Sequence, residues 1–304
     1  MLYVQIENIM SKPLIGIVLV NYNGHDLTIK TIESIFASGY PNVEIIVVDN
    51  KSIDDSIDLI EKKYPRLKII KNNENLGFGE ANNQGINYLI NQANCEYILL
   101  LNNDVEIDKN LIYELLKKAS ISVVTVPKIM YFDTPNIIWY GGGYINFETG
   151  SVKQRGINEN DSHKYDFEEY VTFASGCCLL IHSEILKKIG GFDESYFMYY
   201  EDTDLCMKFI HNNIKIKYCP KAKLWHKVSS SSGGITSRFK TYYKTRNKLY
   251  FLRKYHMEFR NVKWWRIIIA DLIRWSASFF VRKYNRTILK GYIDYLNGKM
   301  RKTI

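Results

Sequence analysis

Tyr97-Ile98-Leu99-Leu100-Leu101-Asn102-Asn103-Asp104 is the stretch on which the fold turns. An apolar run with no polar interruption reads as a strand covered on both faces. The polar side chains after it stand where that strand leaves its sheet. The same pattern recurs toward the N-terminus. Leu14–Val20 is a continuous apolar run, Glu44–Val48 reads as a second buried strand and Leu67–Ile70 as a third, and segments of helical spacing follow them at Asp26–Ala37, about Asp55–Tyr64 and about Gly79–Asn91. Strand alternating with helix predicts an α/β fold, a mostly parallel central sheet with helices on both faces. Ligands of such sheets gather at the carboxyl ends of the strands. There stand Asn21-Tyr22-Asn23-Gly24, Asp49-Asn50, Asn72-Asn73 and Asn102-Asn103-Asp104, none of which packing requires to be polar.

Toward the C-terminus the pattern is more mixed. Thr172–Ile181 reads as one strand interrupted by Ser175-Gly176, and Trp139–Gly143 as a bend beside a sheet edge. Helices are expected at Ser183–Ile189 and Thr203–His211, with a strand at Ile214–Tyr218. Asn158–Tyr165 is a polar loop open to mobility, and the Ser/Gly-rich Ser229–Gly234 is either a lid or a boundary. From Arg238 onward the pattern is helical. In Lys263–Arg282, Trp265, Ile268, Leu272, Trp275 and Phe279 recur at spacings of three and four, while Lys263, Arg266, Asp271, Arg274 and Arg282 form the opposite arc. Such an amphipathic helix suits packing on the main domain and a membrane surface about equally.

The bulk numbers restrict the function classes. A chain of 304 residues, 46% hydrophobic and 24% charged, can bury a large core. The net charge of +9 is concentrated after Lys240 beside many aromatics, and no zinc-finger or RNP-like pattern accompanies it, so nucleic acid is not an expected partner. The five cysteines form no C-x-x-C pair and fit a reducing, cytoplasmic setting. No secretory leader pattern and no run of about 18 apolar residues stands out, and residues 1–12 read as an extension.

Several side chains carry chemistry. Asp104 emerges at the carboxyl edge of the sheet, where a hard divalent cation would find an oxygen ligand; the bland alternative, a helix cap, falls better to Asp108. Glu201, Asp202 and Asp204 crowd behind the aromatic run Tyr196–Tyr200. Asp202 fits a helix N-cap, but the cluster as a whole suits a general base beside a sugar-binding wall. His226 precedes the Ser/Gly-rich segment and is a candidate metal contact. Asn75–Asn83 places glycines at a helix start, where free backbone N–H groups favour an anion, yet it lacks the P-loop pattern.

Taken in order, these segments resemble the family 2 glycosyltransferases, inverting enzymes of the GT-A fold, and within them the rhamnosyltransferase-like group. The likeness runs from about Ile15 to His226 through Ile17–Gly24, Val47–Asn50, Asn75–Gly79 with Asn82-Asn83, Leu100–Asp104, Ser175-Gly176, Gly191–Glu194, Tyr200–Asp204 and Trp225-His226. It implies that Asn21, Asn23 and Asp49 hold the nucleoside, that Asn75, Gly77 and Asn82 shape the pocket for ribose and phosphates, and that Asn102 and Asn103 line the donor site. Asn102 replaces the first acid of the D-x-D motif, leaving Asp104, with His226, to hold Mg2+ or Mn2+. Asp202 is implied as the catalytic base, and Glu201 as its rival or as an acceptor-orienting group.

The implied division is 13–120 for the nucleotide and 121–235 for the acceptor, followed by amphipathic helices over 236–304. The implied reaction takes a sugar from dTDP-rhamnose or a UDP-hexose to a saccharide or lipid-linked hydroxyl, for surface polysaccharide, at the inner face of the cell membrane. Two other classes compete. A nucleotidyltransferase would bring a basic glycine-rich loop that Asn21–Gly24 lacks, and a non-catalytic sugar-binding relative would have no need of Asp104, Asp202 and His226 together.

Overall fold

The computed structural model describes residues 12–228, 238–277 and 285–303. The expectations for residues 1–11 and for Ser229–Gly234 lie outside the described residues, as do Phe279 and Arg282.

Strands β1 (Ile15–Asn21), β2 (Val43–Asp49), β3 (Lys68–Lys71) and β4 (Tyr97–Asn102) alternate with helices α1 (His25–Ala37), α2 (Ser56–Lys63) and α3 (Phe78–Asn91). They pair in parallel in the order β3-β2-β1-β4. Because β2 and β4 flank β1 on opposite sides, the chain reverses its direction of travel there. Right-handed crossovers then put α1 and α2 on one face and α3 on the other. Gly85 lets α3 lie close on β1, since a Cβ there would come within 2.6 Å of Val18 Cγ1. Strands β1, β2 and β4 are buried because their Ile, Val and Leu side chains are covered from both sides, whereas β3 at the sheet's edge leaves Ile69 and Ile70 half-buried.

The second half completes the same sheet. Here follow β5 (Val105–Ile107), α4 (Leu111–Leu116), β6 (Val123–Tyr131), β7 (Ile138–Tyr140), β8 (Gly143–Asn146), β9 (Ser151–Gln154), β10 (Glu169–Val171), β11 (Cys178–His182), α5 (Ser183–Ile189), α6 (Glu201–His211) and β12 (Lys215–His226). Strand β11 runs antiparallel between β4 and β6, and β12 lies parallel to β6. Strands β8 and β9 form a separate hairpin.

Several expectations change in detail. The strand expected over Thr172–Ile181 is broken: β10 ends at Val171 and β11 begins only at Cys178. Strand β12 is far longer than Ile214–Tyr218, because a register shift between Cys219 and Lys223 accommodates Pro220, which has no N–H for the ladder. Asp108 does not cap α4. The cap position is Asn110, whose N–H donates to Asp108 Oδ1 at 2.8 Å. The polar loop 158–165 is tied down: buried Lys128 Nζ donates to Asp161 at 2.6 Å and to Asp166 at 2.7 Å.

Helices α7 (Arg238–Lys254), α8 (Trp264–Ala277) and α9 (Asn285–Leu296) close the chain. Helix α7 packs its Tyr242, Tyr243, Phe251 and Leu252 inward. Helix α8 is turned the other way from a packed amphipathic helix. Its Trp265, Ile268 and Leu272 are exposed, while Asp271 is buried and accepts from Tyr292 Oη at 2.7 Å. Among the described residues no helix is long and apolar enough to cross a membrane.

Candidate active site

The parallel register aligns Asn21 with Asp49 and Val20 with Asn102, so the strand ends form one polar rim. Asn21 is fully buried, and its amide is engaged on all sides. It donates to Asp49 Oδ1 and to Ser52 Oγ, both at 3.0 Å, and accepts from Thr28 Oγ1 at 2.8 Å. Asn103 Nδ2 reaches Thr28 Oγ1 at 2.9 Å and Asn21 Oδ1 at 3.5 Å. Asn21 therefore acts by fixing Asp49 and Asn103, not by offering its own polar atoms to a ligand. Ser52, which the sequence did not single out, joins Asp49 to the Asn23 backbone N–H at 2.9 Å. Asn23 accepts from Ile53 N at 2.8 Å and is exposed at the mouth.

Asn50, adjacent to Asp49, was not assigned a role in sequence. It donates to Gly77 O at 2.8 Å and accepts from Leu76 N at 3.1 Å, so it shapes the loop before α3. Asn75 Oδ1 accepts from Gly77 N at 2.9 Å, and Asn82 donates back to Phe78 O at 2.8 Å. Gly77 has φ +85°, and a Cβ there would overlap the Phe197 carbonyl. Phe78 N donates to that same carbonyl at 3.0 Å, tying the loop before α3 to the acidic segment. Gly77→Ala is therefore expected to cost about 2–4 kcal/mol through a left-handed φ and overpacking together. Thermal unfolding measures this, and an unchanged midpoint would show that the loop yields.

At the rim's other end, β5 pairs with β12 so that His226 lies opposite Val105, which brings Asp104 beside the imidazole. Asp104 Oδ1 and His226 Nε2 are 3.1 Å apart, and each residue is 7% exposed. The Thr31 hydroxyl holds the turn that carries Asp104, lying 2.9 Å from Asn103 O and 2.7 Å from Val105 O. Asn102 Nδ2 lies 3.3 Å from His226 Nε2, and Trp139 packs edge-on against the imidazole at 4.7 Å. A carboxylate oxygen and an imidazole nitrogen this close, on a buried rim, suit a divalent cation of the Mg2+ or Mn2+ kind. A cavity of about 300 Å³ opens beside Asp104, lined in part by Lys30, Phe132 and Lys227.

The break between β10 and β11 links this pair to the acids. With no strand partner, Gly176 N–H turns toward Asp202 Oδ2 at 3.4 Å. The carbonyl of the next residue, Cys177, accepts from Asn102 N at 2.9 Å, and the Asn102 side chain is the one beside His226. Asp202 is thus linked to the Asp104–His226 pair through Gly176, Cys177 and Asn102.

Asp202 is not an N-cap. Helix α6 already begins at Glu201, and the cap position is Tyr200. Tyr199 and Tyr200 both have left-handed backbones, with φ of 69° and 75°. Such conformations cost about 1–3 kcal/mol per non-glycine residue and cluster at functional sites. The aromatic run does not form an open sugar wall. Tyr196 and Phe197 are buried, and Phe197 and Tyr200 pack against Tyr243 and Phe251 of α7.

The three acids differ by environment. Asp204 is buried and bonded to Lys254 Nζ at 2.7 Å, so it is structural. Glu201 is 6% exposed, and burial, then Asp202 and Asp204, push its pKa up to about 8. Asp202 is half-buried, and its pKa is raised by burial but restrained by the Gly176 and Thr203 N–H groups. The raised Glu201 pKa has a sign for stability. Between the ordinary carboxylate pKa and about 8 the folded chain holds a proton that the unfolded chain has released, so stability falls as pH rises through that window. Glu201→Gln is expected to flatten that decline between pH 5 and pH 8 in thermal unfolding; parallel curves would place the proton elsewhere.

A mostly parallel sheet with helices on both faces and a polar rim at its strand ends is the architecture of a GT-A glycosyltransferase. Solved structures share the fold. The structure of GalNAc-T7 with UDP, GalNAc and Mn2+ superposes at a TM-score of 0.63 with 17% identity, over 82% of this chain and 50% of that one. The mannosyltransferase PcManGT of Pyrobaculum calidifontis, in complex with GDP-Man and Mn2+, gives 0.56 with 13% identity over 98% and 94%. The glycosyl transferase family 2 pattern matches residues 16–190, more than half of the chain, and the chain belongs to that family. A second pattern, the N-terminal domain of galactosyltransferase, matches residues 157–230.

Curated relatives include a low-salt glycan biosynthesis hexosyltransferase of Haloferax volcanii, 26% identical over 77% of this chain and 74% of its own. The dTDP-rhamnosyl transferase RfbF of Shigella flexneri is also 26% identical, over 71% and 73%. An N-acetylglucosaminyl-diphospho-decaprenol L-rhamnosyltransferase of Mycobacterium tuberculosis is 26% identical over 78% and 81%. The chain is thus a glycosyltransferase with rhamnosyl- and hexosyl-transferring relatives.

Proposed function

We propose that the chain is an inverting, divalent-metal-dependent transferase that moves rhamnose or a hexose from its nucleotide diphosphate to a hydroxyl of a saccharide or lipid-linked saccharide, in surface polysaccharide synthesis. The observation that carries this reading is the Asp104–His226 pair, 3.1 Å apart on the buried strand-end rim and linked through Asn102, Cys177 and Gly176 to Asp202. Residues 13–120 bind the nucleotide through Asp49, Asn23, Asn75 and the Gly77 loop, and residues 121–235 receive the acceptor. Asp202, the more accessible acid, takes the acceptor proton as the hydroxyl attacks the anomeric carbon. Glu201, protonated near neutrality, donates to the acceptor or to its neighbour. Asp104 and His226 would hold Mg2+ or Mn2+, which when bound offsets charge on the departing diphosphate.

A panel of nucleotide sugars with and without divalent metal tests the donor. The true donor at 100 times its Kd should stabilise the fold by about 2.7 kcal/mol. Thermal shifts that are equal for dTDP-rhamnose, UDP-hexoses and unrelated nucleotides would sink this reading.

Helix α8 supports a setting at the membrane surface. Its outward Trp265, Leu272 and Ile273 are 56%, 53% and 61% exposed, and the Arg266 guanidinium lies over the Trp265 ring at 5.3 Å. Aromatic and aliphatic side chains beside cations match an anionic membrane interface. The chain is expected to sediment with phosphatidylglycerol vesicles, and Trp265→Asp with Ile273→Asp to release it. Equal sedimentation of the double variant would remove the membrane from the account.

A further inference from the structure

Helix α7 lies outside the strand-end rim, yet one of its side chains reaches the acidic corner. Asn247 is fully buried, and its amide donates both protons to consecutive carbonyls, Met198 O at 2.9 Å and Tyr199 O at 2.7 Å. These carbonyls belong to the approach to the left-handed pair Tyr199-Tyr200, directly ahead of Glu201 and Asp202. A backbone held in two successive left-handed conformations without glycine persists only when its surroundings fix it.

The amide of Asn247 is itself oriented. Arg246 Nε donates to Asn247 Oδ1 at 2.9 Å, which aims the amide nitrogen at the two carbonyls. Arg246 is fully buried with its guanidinium over the Tyr243 ring at 4.8 Å. Its Nη1 donates to Arg301 O at 2.7 Å and to Thr303 Oγ1 at 3.0 Å. The C-terminal segment returns to the same corner, since Arg301 N donates to Ser195 O at 2.9 Å.

We propose that Asn247, oriented by Arg246 and the C-terminal segment, is a positioning residue that holds the Tyr199-Tyr200 corner and so sets the direction of the Asp202 carboxylate. The proposal rests on the reading of Asp202 as the base. Its logic is that two carbonyls, once released, would let the corner relax and turn the first residues of α6 away from Gly176. The charged groups facing Asp202 are then rearranged as well: Glu201 on its own helix and Lys244 on α7, which favours its ionised form. The ends of β1 and β2 lie away from the corner, and the Gly77 loop meets it only at Phe197 O, ahead of the two carbonyls that Asn247 holds.

The test uses the full chain and three variants. Asn247→Asp keeps the shape and removes both donors, Asn247→Ala removes the amide, and Arg246→Lys keeps the charge but not the Nε bond. Both Asn247 variants are expected to lose kcat by about 10²-fold, the scale of an ångström's misplacement. Nucleotide diphosphate affinity should stay within about twofold, and the acid limb of the kcat–pH profile should move. Arg246→Lys should show a smaller loss in the same direction. Unchanged kcat and pH profile in folded Asn247→Asp would overturn the proposal. So would a loss of nucleotide binding that parallels the loss of kcat, since the residue would then hold the whole fold. Asp202→Asn is run beside them: if it keeps full turnover, the base assignment has failed, and that result is distinct from failure of the clamp in a series where Asp202 proves essential.

Discussion

Asp202→Asn is expected to lower kcat by about 10²–10⁴-fold, the usual contribution of a positioned general base, while nucleotide diphosphate binding stays nearly unchanged. The substitution keeps the shape of the side chain, and an amide oxygen can still accept from Gly176 N–H, which lies 3.4 Å from Asp202 Oδ2. What it removes is the capacity to take a proton. Glu201 is a poor substitute because burial, the largest cause of its raised pKa, persists when the Asp202 charge is removed. Glu201→Gln should therefore cost less than Asp202→Asn at neutral pH, since Gln preserves a hydrogen-bond donor at a site where the acid already carries its proton. Measuring single-turnover transfer and nucleotide affinity for both variants decides the matter. Full turnover by Asp202→Asn, or a larger loss in Glu201→Gln, would reverse the roles of the two acids.

The order of these effects reflects what the sequence could carry. Strands β1, β2 and β4 and their polar ends were legible because a strand buried on both faces leaves a dense apolar run, and the residue that ends it has no packing reason to be polar, whereas the edge strand β3 is short and carries Lys68. Asp49, Asn102, Asn103 and Asp104 stand out on that ground alone. The Asp104–His226 pairing is different. It depends on the β5–β12 register, and β12 is hidden in sequence by the irregularity around Pro220.

The aromatic run before Glu201 invited the opposite error, since Tyr and Phe read alike whether they line a sugar site or meet another aromatic helix. Only the packing of Phe197 and Tyr200 against α7 tells them apart. Helix α8 has the right period but an outward apolar face, and periodicity gives the existence of a face without saying what it meets. Asn50 and Asn247 act through backbone carbonyls far away in the chain, and local pattern has no means of showing such bonds.

The second large effect concerns the Asp104–His226 pair. Asp104→Ala is expected to weaken nucleotide diphosphate binding in the presence of Mg2+ or Mn2+ by at least about 10–100-fold, the cost of disturbing even an outer partner of a metal site. In the presence of a chelator the two proteins should bind alike, because Asp49, Asn75 and the Gly77 loop are unaltered. His226→Ala should behave in the same direction, and the double variant should cost less than the two single losses added, since both side chains serve one ion. The imidazole adds a pH dependence. Burial works against its charged form, but Cys177 and Asp104 together hold the His226 pKa well above its ordinary value. Imidazole binds a metal only in its deprotonated, neutral form, so uptake of the cation by a protonated His226 displaces a proton, and affinity rises with pH. Calorimetry in two buffers of different ionisation enthalpy reads that proton directly. Metal-independent nucleotide binding that is identical in wild type and Asp104→Ala, with no proton released, would leave the pair as an ordinary buried ion pair and shift the stabilisation of the departing diphosphate to the cations near the rim, Lys30 and Lys227.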